Sequence, residues 1–217
     1  MPSPHIQIIA NAAKRNLAPM GLIRKGRSRT WLDDRGWYVT VVEFQPSGFS
    51  KGSYLNVGAH FLWRWSGHLS FDLGYRISGY IPFEAEDQFA PAIEEFAISA
   101  AAEVARLRGL LVNPSAVANA IPNHPQPTSW PSYHRAISMA LSGRTSESAV
   151  LFAGLAKPAL EYYPTDSGRA YEIDRAEKCK ALAADSDNPT AFRAAILKLI
   201  TAQRLALHLN AITDPGI

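Results

Sequence analysis

The sequence contains one cysteine, no long apolar run and no histidine or cysteine spacing typical of a metal site. Cys179 alone can form neither an internal disulfide nor a zinc site. A membrane span needs ~20 consecutive apolar residues, and no window approaches that length. The first residues, Met-Pro-Ser-Pro-His, lack the basic and apolar regions of a secretory signal. We therefore expect a cytoplasmic protein with no membrane segment, metal or cofactor.

Acidic residues are absent from the first 32 positions, which carry a charge of +6, whereas the whole chain carries +3. Four of these cations, Arg24, Lys25, Arg27 and Arg29, lie close together and form a candidate anion-binding segment. One interpretation is an arm that contacts the phosphates of a nucleic acid. The other is a solvated strand edge, where cations discourage pairing with a second chain.

Apolar and polar residues alternate over 31–83, which is typical of half-buried antiparallel strands. The pattern predicts an α+β protein with a four-stranded antiparallel sheet. The strands are expected at Trp31–Leu32, Trp37–Gln45, Tyr54–Trp63 and Leu69–Phe83, with a turn at Ser66-Gly67 between the last two.

Helical periodicity flanks the sheet on both sides. Helices are predicted over 4–18 and 88–108, and both are expected on the sheet face that carries Leu55, Phe61, Phe71 and Tyr75. A first domain over 1–110 is then followed by a proline-rich connector, 111–131, and an all-helical region, 132–217. Within that region, helices are predicted at 132–141, at 146–163 with a kink at Pro158, at 169–184 and at 189–210.

Strand parity places a set of polar residues on the opposite face of the sheet, and the loop after Gln45 extends it. This candidate binding face consists of Glu43, Gln45, Ser47, Phe49, Lys51, Asn56, His60, Asp72 and Arg76. A histidine beside a carboxylate, His60 with Asp72, suits general acid–base catalysis, and Arg76 suits an anion. The same residues also suit a partner-binding surface, or a polar face whose members satisfy one another.

A Gly-x-Ser-x-Gly motif occurs at 48–52, with Ser50 in the position of a catalytic nucleophile. The nucleophile elbow needs a strand before this motif and a helix after it. Because a second strand is predicted after Gly52, we interpret the motif as a flexible turn. No residue is therefore assigned a catalytic role.

Three segments carry a resemblance to a known family: 17–27 (Leu-Ala-Pro-Met-Gly-Leu-Ile-Arg-Lys-Gly-Arg), 44–47 (Phe-Gln-Pro-Ser) and 52–58 (Gly-Ser-Tyr-Leu-Asn-Val-Gly). Over about residues 6–108 the chain resembles bacterial domains of unknown function. These share a helix, a Gly-Phe-x-(Lys/Arg) segment, and Phe-Gln-x-Ser and Asn-x-Gly on successive strands. Leu22 departs from the pattern, which has an aromatic residue there. The resemblance implies an α+β fold and a small bacterial interaction protein, in some members of the toxin-immunity or defence kind, and no catalytic residues.

Three functions follow from these observations. The first is a non-enzymatic macromolecule-binding protein with a protein as its partner, and the resemblance implies a role in immunity or defence. The second is an accessory protein that binds nucleic acid through the basic N-terminal segment, and the third is an enzyme that uses His60 and Asp72. We expect the first.

Overall fold

The computed structural model describes residues 3–121, 130–162 and 165–217. The chain forms two compact units. The first takes in the chain up to Phe61 together with His68–Leu110, and the second takes in Leu62–Gly67 and Leu111–Ile217. The predicted connector, 111–131, falls partly on 122–129, outside the described residues.

The first unit contains an antiparallel sheet in which each strand pairs with the next along the chain. Its strands are β1 (Ile23–Arg24), β2 (Thr30–Asp34), β3 (Tyr38–Gln45), β4 (Gly52–Phe61) and β5 (Leu73–Pro82). The α+β class is confirmed, whereas the strand number of four was wrong. The missed strand, β1, has only two residues, so no alternation reveals it, and it pairs with Trp31 and Leu32 of β2.

Two helices pack on one face of this sheet, α1 (Pro4–Leu17) and α2 (Glu86–Leu110). Pro4 opens α1, because a proline at the first helical position loses no hydrogen bond, and Gly21, with φ of 87°, follows its end. Buried apolar side chains from both helices and the sheet form one core. They are Ile9, Ala13, Leu17, Val42, Phe44, Leu55, Val57, Phe89, Ile93, Ala97, Ala100, Val104 and Leu107.

The connection between β4 and β5 differs from the predicted tight turn. β4 ends at Phe61 and β5 begins at Leu73, so Leu62 and Trp63 leave the sheet and belong to the second unit. Phe71 precedes β5 and is 38% exposed, and Tyr75 is 59% exposed at the sheet edge. Their predicted burial was wrong. Phe71 lies before the residues that pair, and Tyr75 is paired with Val57 but lies on β5, the edge strand of the sheet.

Two glycines explain how closely β4 and β5 approach each other. A Cβ atom on Gly74, whose φ is 138°, would lie 2.3 Å from the Cα atom of Gly58. A Cβ on Gly58 would lie 2.7 Å from the carbonyl oxygen of Leu73. Gly58 is the glycine of the Asn-x-Gly segment, and its role is therefore to let the neighbouring strand approach.

The second unit is helical in its described part. Its helices are α3 (Val117–Ala120), α4 (Trp130–Leu141), α5 (Thr145–Leu155), α6 (Asp166–Asp185) and α7 (Pro189–Ala206). Asn188 caps α7, its side chain accepting a hydrogen bond from the amide of Ala191 at 3.1 Å. The expected kink at Pro158 was wrong, because α5 ends at Leu155, before the proline.

Several buried polar groups in this unit are hydrogen-bonded to one another. The indole of Trp63 donates to Nδ1 of His134 at 2.9 Å, and the Tyr133 hydroxyl donates to the carbonyl oxygen of Trp63 at 2.9 Å.

Burial raises the pKa of the Cys179 thiol to about 11. The thiol therefore stays protonated and unreactive at neutral pH.

Candidate functional site

The polar face of the first unit holds a hydrogen-bonded group that we call the sheet-face network: Glu43, Gln45, Asn56 and Arg76. Strand register aligns Glu43 on β3 with Asn56 on β4, and Asn56 with Arg76 on β5. Residues opposite each other on adjacent strands point to the same face, so the parity argument correctly grouped these four side chains.

Asn56 is the centre of this network and is only 8% exposed. Its amide nitrogen donates to Oε2 of Glu43 at 2.9 Å and to Oε1 of Gln45 at 3.0 Å. Its oxygen accepts from Nε of Arg76 at 3.2 Å, and Arg76 also donates to Gln45 at 2.6 Å. The Arg76 guanidinium lies 4.0 Å from the ring centroid of Tyr54. The donors and acceptors thus satisfy one another, as in a structural network.

His60 and Asp72 lie together, but their side chains have no exposed surface. Nδ1 of His60 is 2.8 Å from the Ser70 hydroxyl oxygen and 3.2 Å from Oδ2 of Asp72. In a catalytic triad the acid and the nucleophile contact different ring nitrogens, whereas both contact Nδ1 here. Asp72 also accepts a hydrogen bond from the amide of Phe61 at 2.9 Å. The expectation that Asp72 lies on an exposed binding face was wrong, because its carboxylate anchors the chain that leads into β5.

The loop between β3 and β4, residues 46–51, is fixed by hydrogen bonds at several points. The Ser50 hydroxyl lies 2.6 Å from the Tyr80 hydroxyl, which donates to the carbonyl oxygen of Lys51 at 2.6 Å. The Ser47 hydroxyl accepts from the amide of Phe49 at 3.1 Å. A strand, β4, follows the loop, so Ser50 does not occupy a nucleophile elbow. Phe49 is fully exposed at the tip of this pinned loop.

A cavity of about 360 Å³ lies beneath the 46–51 loop. The loop, Gly52, His5 and Arg29 line it. His5 is 7% exposed, and within the described part of the chain its Nδ1 atom has no hydrogen-bond partner. Burial lowers the pKa of His5, and the positive charges of Arg29 and Lys51 lower it further. We call His5, Arg29 and Lys51 the loop-cavity cluster.

Arg29 is held in this cavity by a backbone contact. Its guanidinium donates to the carbonyl oxygen of Gly52 at 3.1 Å, and burial lowers the pKa of Arg29. Among the described residues, no carboxylate lies within ion-pair distance of this guanidinium. A Cβ atom on Gly52 would lie 2.3 Å from the carbonyl oxygen of Ile81, so only glycine fits at this end of the loop.

The four basic residues of the candidate anion-binding segment do not act together. The Arg24 guanidinium donates to the carbonyl oxygens of Ser28 at 2.7 Å and Arg27 at 3.1 Å, and so closes its own turn. Lys25 and Arg27 line a different cavity, of about 530 Å³, beside Glu43 and Phe71. Of the four, Arg29 joins the loop cavity. No sequence pattern pointed to His5, which joins this site from the first turn of α1.

Comparison with protein-family models, with curated proteins and with solved structures finds no match to this chain. The resemblance to bacterial domains of unknown function therefore stays a prediction. None of the helices in the described ranges is both long and apolar enough to cross a bilayer. Over the same ranges, no group of three histidine, cysteine, aspartate or glutamate residues is placed to hold a metal ion.

Proposed function

We propose that this protein is a non-enzymatic binding protein that recognises a partner protein through the 46–51 loop. The observation that carries this proposal is the complete exposure of Phe49 on a loop held by defined hydrogen bonds. A large apolar side chain in water at the tip of an ordered loop costs free energy that a partner's pocket recovers.

Rigidity of the loop supports the same proposal. Binding energy is lost when a flexible segment becomes ordered on association, whereas a loop already held by Tyr80 and by Arg29 loses little. Aromatic side chains at the centre of an interface commonly dominate its binding energy. We therefore assign Phe49 the role of an apolar anchor and Lys51 that of a charged neighbour.

The polar sheet face contributes less than the sequence suggested. Asn56, His60 and the Asp72 carboxylate are buried, which leaves Arg76 as the exposed member on that face. Arg76 is oriented by Asn56, Gln45 and Tyr54, so it presents a fixed positive charge at the rim. Rim charges of this kind affect the association rate more than the affinity.

We do not extend the proposal to nucleic acid or to catalysis. A nucleic-acid track needs cations that follow a phosphate backbone, whereas Arg24 closes its own turn and Lys25 and Arg27 lie apart from Arg29. A His60 site needs access for a substrate, and that side chain is buried. The family resemblance also implies a role in immunity or defence, but that role identifies no further binding residue.

The test compares Phe49→Ala with a matched control, Tyr75→Ala, which removes another exposed aromatic side chain of the first unit. Tagged wild-type protein and both variants are used to capture partners from source-cell lysate, with quantitative mass spectrometry as the measurement. We expect Phe49→Ala to lose the specific partner at least tenfold, about 1.4 kcal/mol, while the control retains it. Equal retention by all three proteins would contradict the proposal.

A further inference from the structure

The loop-cavity cluster brings three basic side chains to one concave site. His5 and Arg29 line the cavity from beneath, and Lys51 lies in the loop above it. Like charges gathered at one place raise each other's free energy, and after burial, which is the larger cause, the charges of Arg29 and Lys51 lower the pKa of His5. Such an arrangement is stabilised by an anion.

Several other arginines of the first unit have carboxylate partners, whereas Arg29 has none among the described residues. Arg15 pairs with Glu94, Arg106 lies 2.8 Å from Glu103, and Arg108 lies 2.8 Å from Asp33. Arg29 instead contacts a backbone carbonyl at 3.1 Å, and this contact uses one of its nitrogen atoms. Its remaining N–H groups are free to donate to a ligand in the cavity.

His5 supplies a second and independent indication of a ligand. It is more than nine-tenths buried, it is one of the residues that line the cavity, and within the described residues its buried Nδ1 has no partner. A buried polar atom without a partner costs free energy, and a ligand oxygen atom that the ring turns to meet would remove that cost. His5 also lies in the first turn of α1, which carries no acidic residue, so the positive end of the helix adds to the local potential.

We propose that the cavity beneath the 46–51 loop binds a phosphate monoester group. Two permanent cations and one histidine match the charge of a phosphate dianion better than that of a single carboxylate. The guanidinium of Arg29 suits the paired oxygens of a phosphate, Lys51 supplies a point charge, and His5 offers a donor from beneath. The cavity holds a phosphate group together with the first atoms of its carrier.

The carrier is a small molecule or a phosphorylated side chain of the partner protein, and for the latter the inference rests on the proposed function. Phe49 lies beside the cavity, where it would contact the residue next to the phosphate. The cluster is one isolated site and the neighbouring basic residues lie elsewhere. An extended polyanion would leave most of its charges without a partner here.

The experiment measures binding of inorganic phosphate by NMR, following the backbone amides of residues 46–52 and the ring signals of His5. We expect saturable shifts confined to these residues. Lys51→Gln removes a cation whose side chain is exposed and makes no hydrogen bond within the described structure, so its fold is retained. This variant and Arg29→Gln should each bind about tenfold more weakly or worse. The matched control is Arg27→Gln, a basic residue of the same segment that lines the other cavity, and it should bind normally.

Three further ligands identify the carrier. A protein carrier is supported if a phosphoserine peptide binds more tightly than inorganic phosphate and its unphosphorylated form does not bind. A small-molecule carrier is supported if inorganic phosphate and the phosphopeptide bind equally. Salt-sensitive binding of a single-stranded oligonucleotide that is weakened by Arg27→Gln would overturn the proposal in favour of nucleic acid. The absence of saturable shifts with phosphate, or shifts unaffected by Lys51→Gln and Arg29→Gln, would also overturn it.

Failure of this inference is separable from failure of the proposed function. Partner capture that depends on Phe49 without any phosphate binding overturns the inference alone. Phosphate binding together with partner capture that does not depend on Phe49 overturns the proposed function alone.

Discussion

The sheet-face network and the loop-cavity cluster are both polar groups on the same unit, and they differ in whether their atoms have partners. In the network, Asn56 connects Glu43, Gln45 and Arg76, so donors and acceptors are matched. In the cluster, His5 and Arg29 are buried or half-buried without a carboxylate partner among the described residues. The first arrangement stabilises the fold, and the second holds unused binding capacity. Co-location of polar residues therefore does not define a site, whereas unused hydrogen-bonding capacity does.

The largest expected effect comes from breaking the network at its centre. Asn56→Ala removes the shared partner of Glu43, Gln45 and Arg76, and leaves their polar atoms partly buried without hydrogen bonds. We expect the free energy of unfolding, measured in urea, to fall by about 2–3 kcal/mol. Gln45→Ala, which removes one member at the edge, serves as the control and should cost less. A loss for Asn56→Ala below about 0.5 kcal/mol would contradict the structural role of the network.

A smaller effect concerns the pH dependence that the cluster imposes on stability. Burial, followed by the charges of Arg29 and Lys51, lowers the pKa of His5 in the folded protein. Between this lowered pKa and the unfolded value of about 6.5 the unfolded chain binds more protons, so stability decreases as pH falls from about 6.5 towards the folded-state pKa. His5→Gln should remove part of this decrease, which melting temperatures measured on both sides of pH 6.5 would detect. Identical pH profiles for the two proteins would show that His5 does not contribute.

The smallest expected effect is on the stability of a cluster variant. Lys51 is exposed and its side chain forms no hydrogen bond within the described structure, so Lys51→Gln removes repulsion and no favourable contact. We expect the free energy of unfolding to increase by less than about 0.5 kcal/mol, because the repulsion from Lys51 is removed. A loss above about 1 kcal/mol in urea unfolding would show that Lys51 stabilises the fold, and the contrast with Asn56 would then disappear.

Local signals predicted much of the fold. Pro4 marks the start of α1, and Gly21 ends the turn that follows it. Asn188 and Pro189 mark the start of α7. Each of these residues determines the backbone only within a few positions of itself, so a local pattern reveals it. Alternation correctly grouped Glu43 with Asn56 and Arg76. It wrongly placed Phe71 and Trp63 in strands, because alternation shows which side chains share a face and does not show where the hydrogen-bonded pairing of two strands ends.

The candidate site was only partly predictable. Lys51 and Arg29 were both recognised as candidate residues, but in two different sets, since 22 positions separate them in the chain. His5 carried no signal, as a single histidine near a helix start is common. These three residues meet only because β2 and β3 bring the basic segment beside the loop and α1 begins at the same end of the sheet. That proximity is a tertiary property that local patterns do not encode.

The membership of Leu62–Gly67 in the second unit has a consequence for protein synthesis. The indole of Trp63 binds His134, which lies 71 positions later in the chain. At a translation rate of about 5–20 residues per second, Trp63 is made roughly 4–14 s before that partner. During this interval the strands on either side of it can pair, while Trp63 lacks the hydrogen-bond partner that the second unit supplies. The strands β4 and β5 are thus synthesised before the helices of the second unit, to which the segment that connects these two strands belongs.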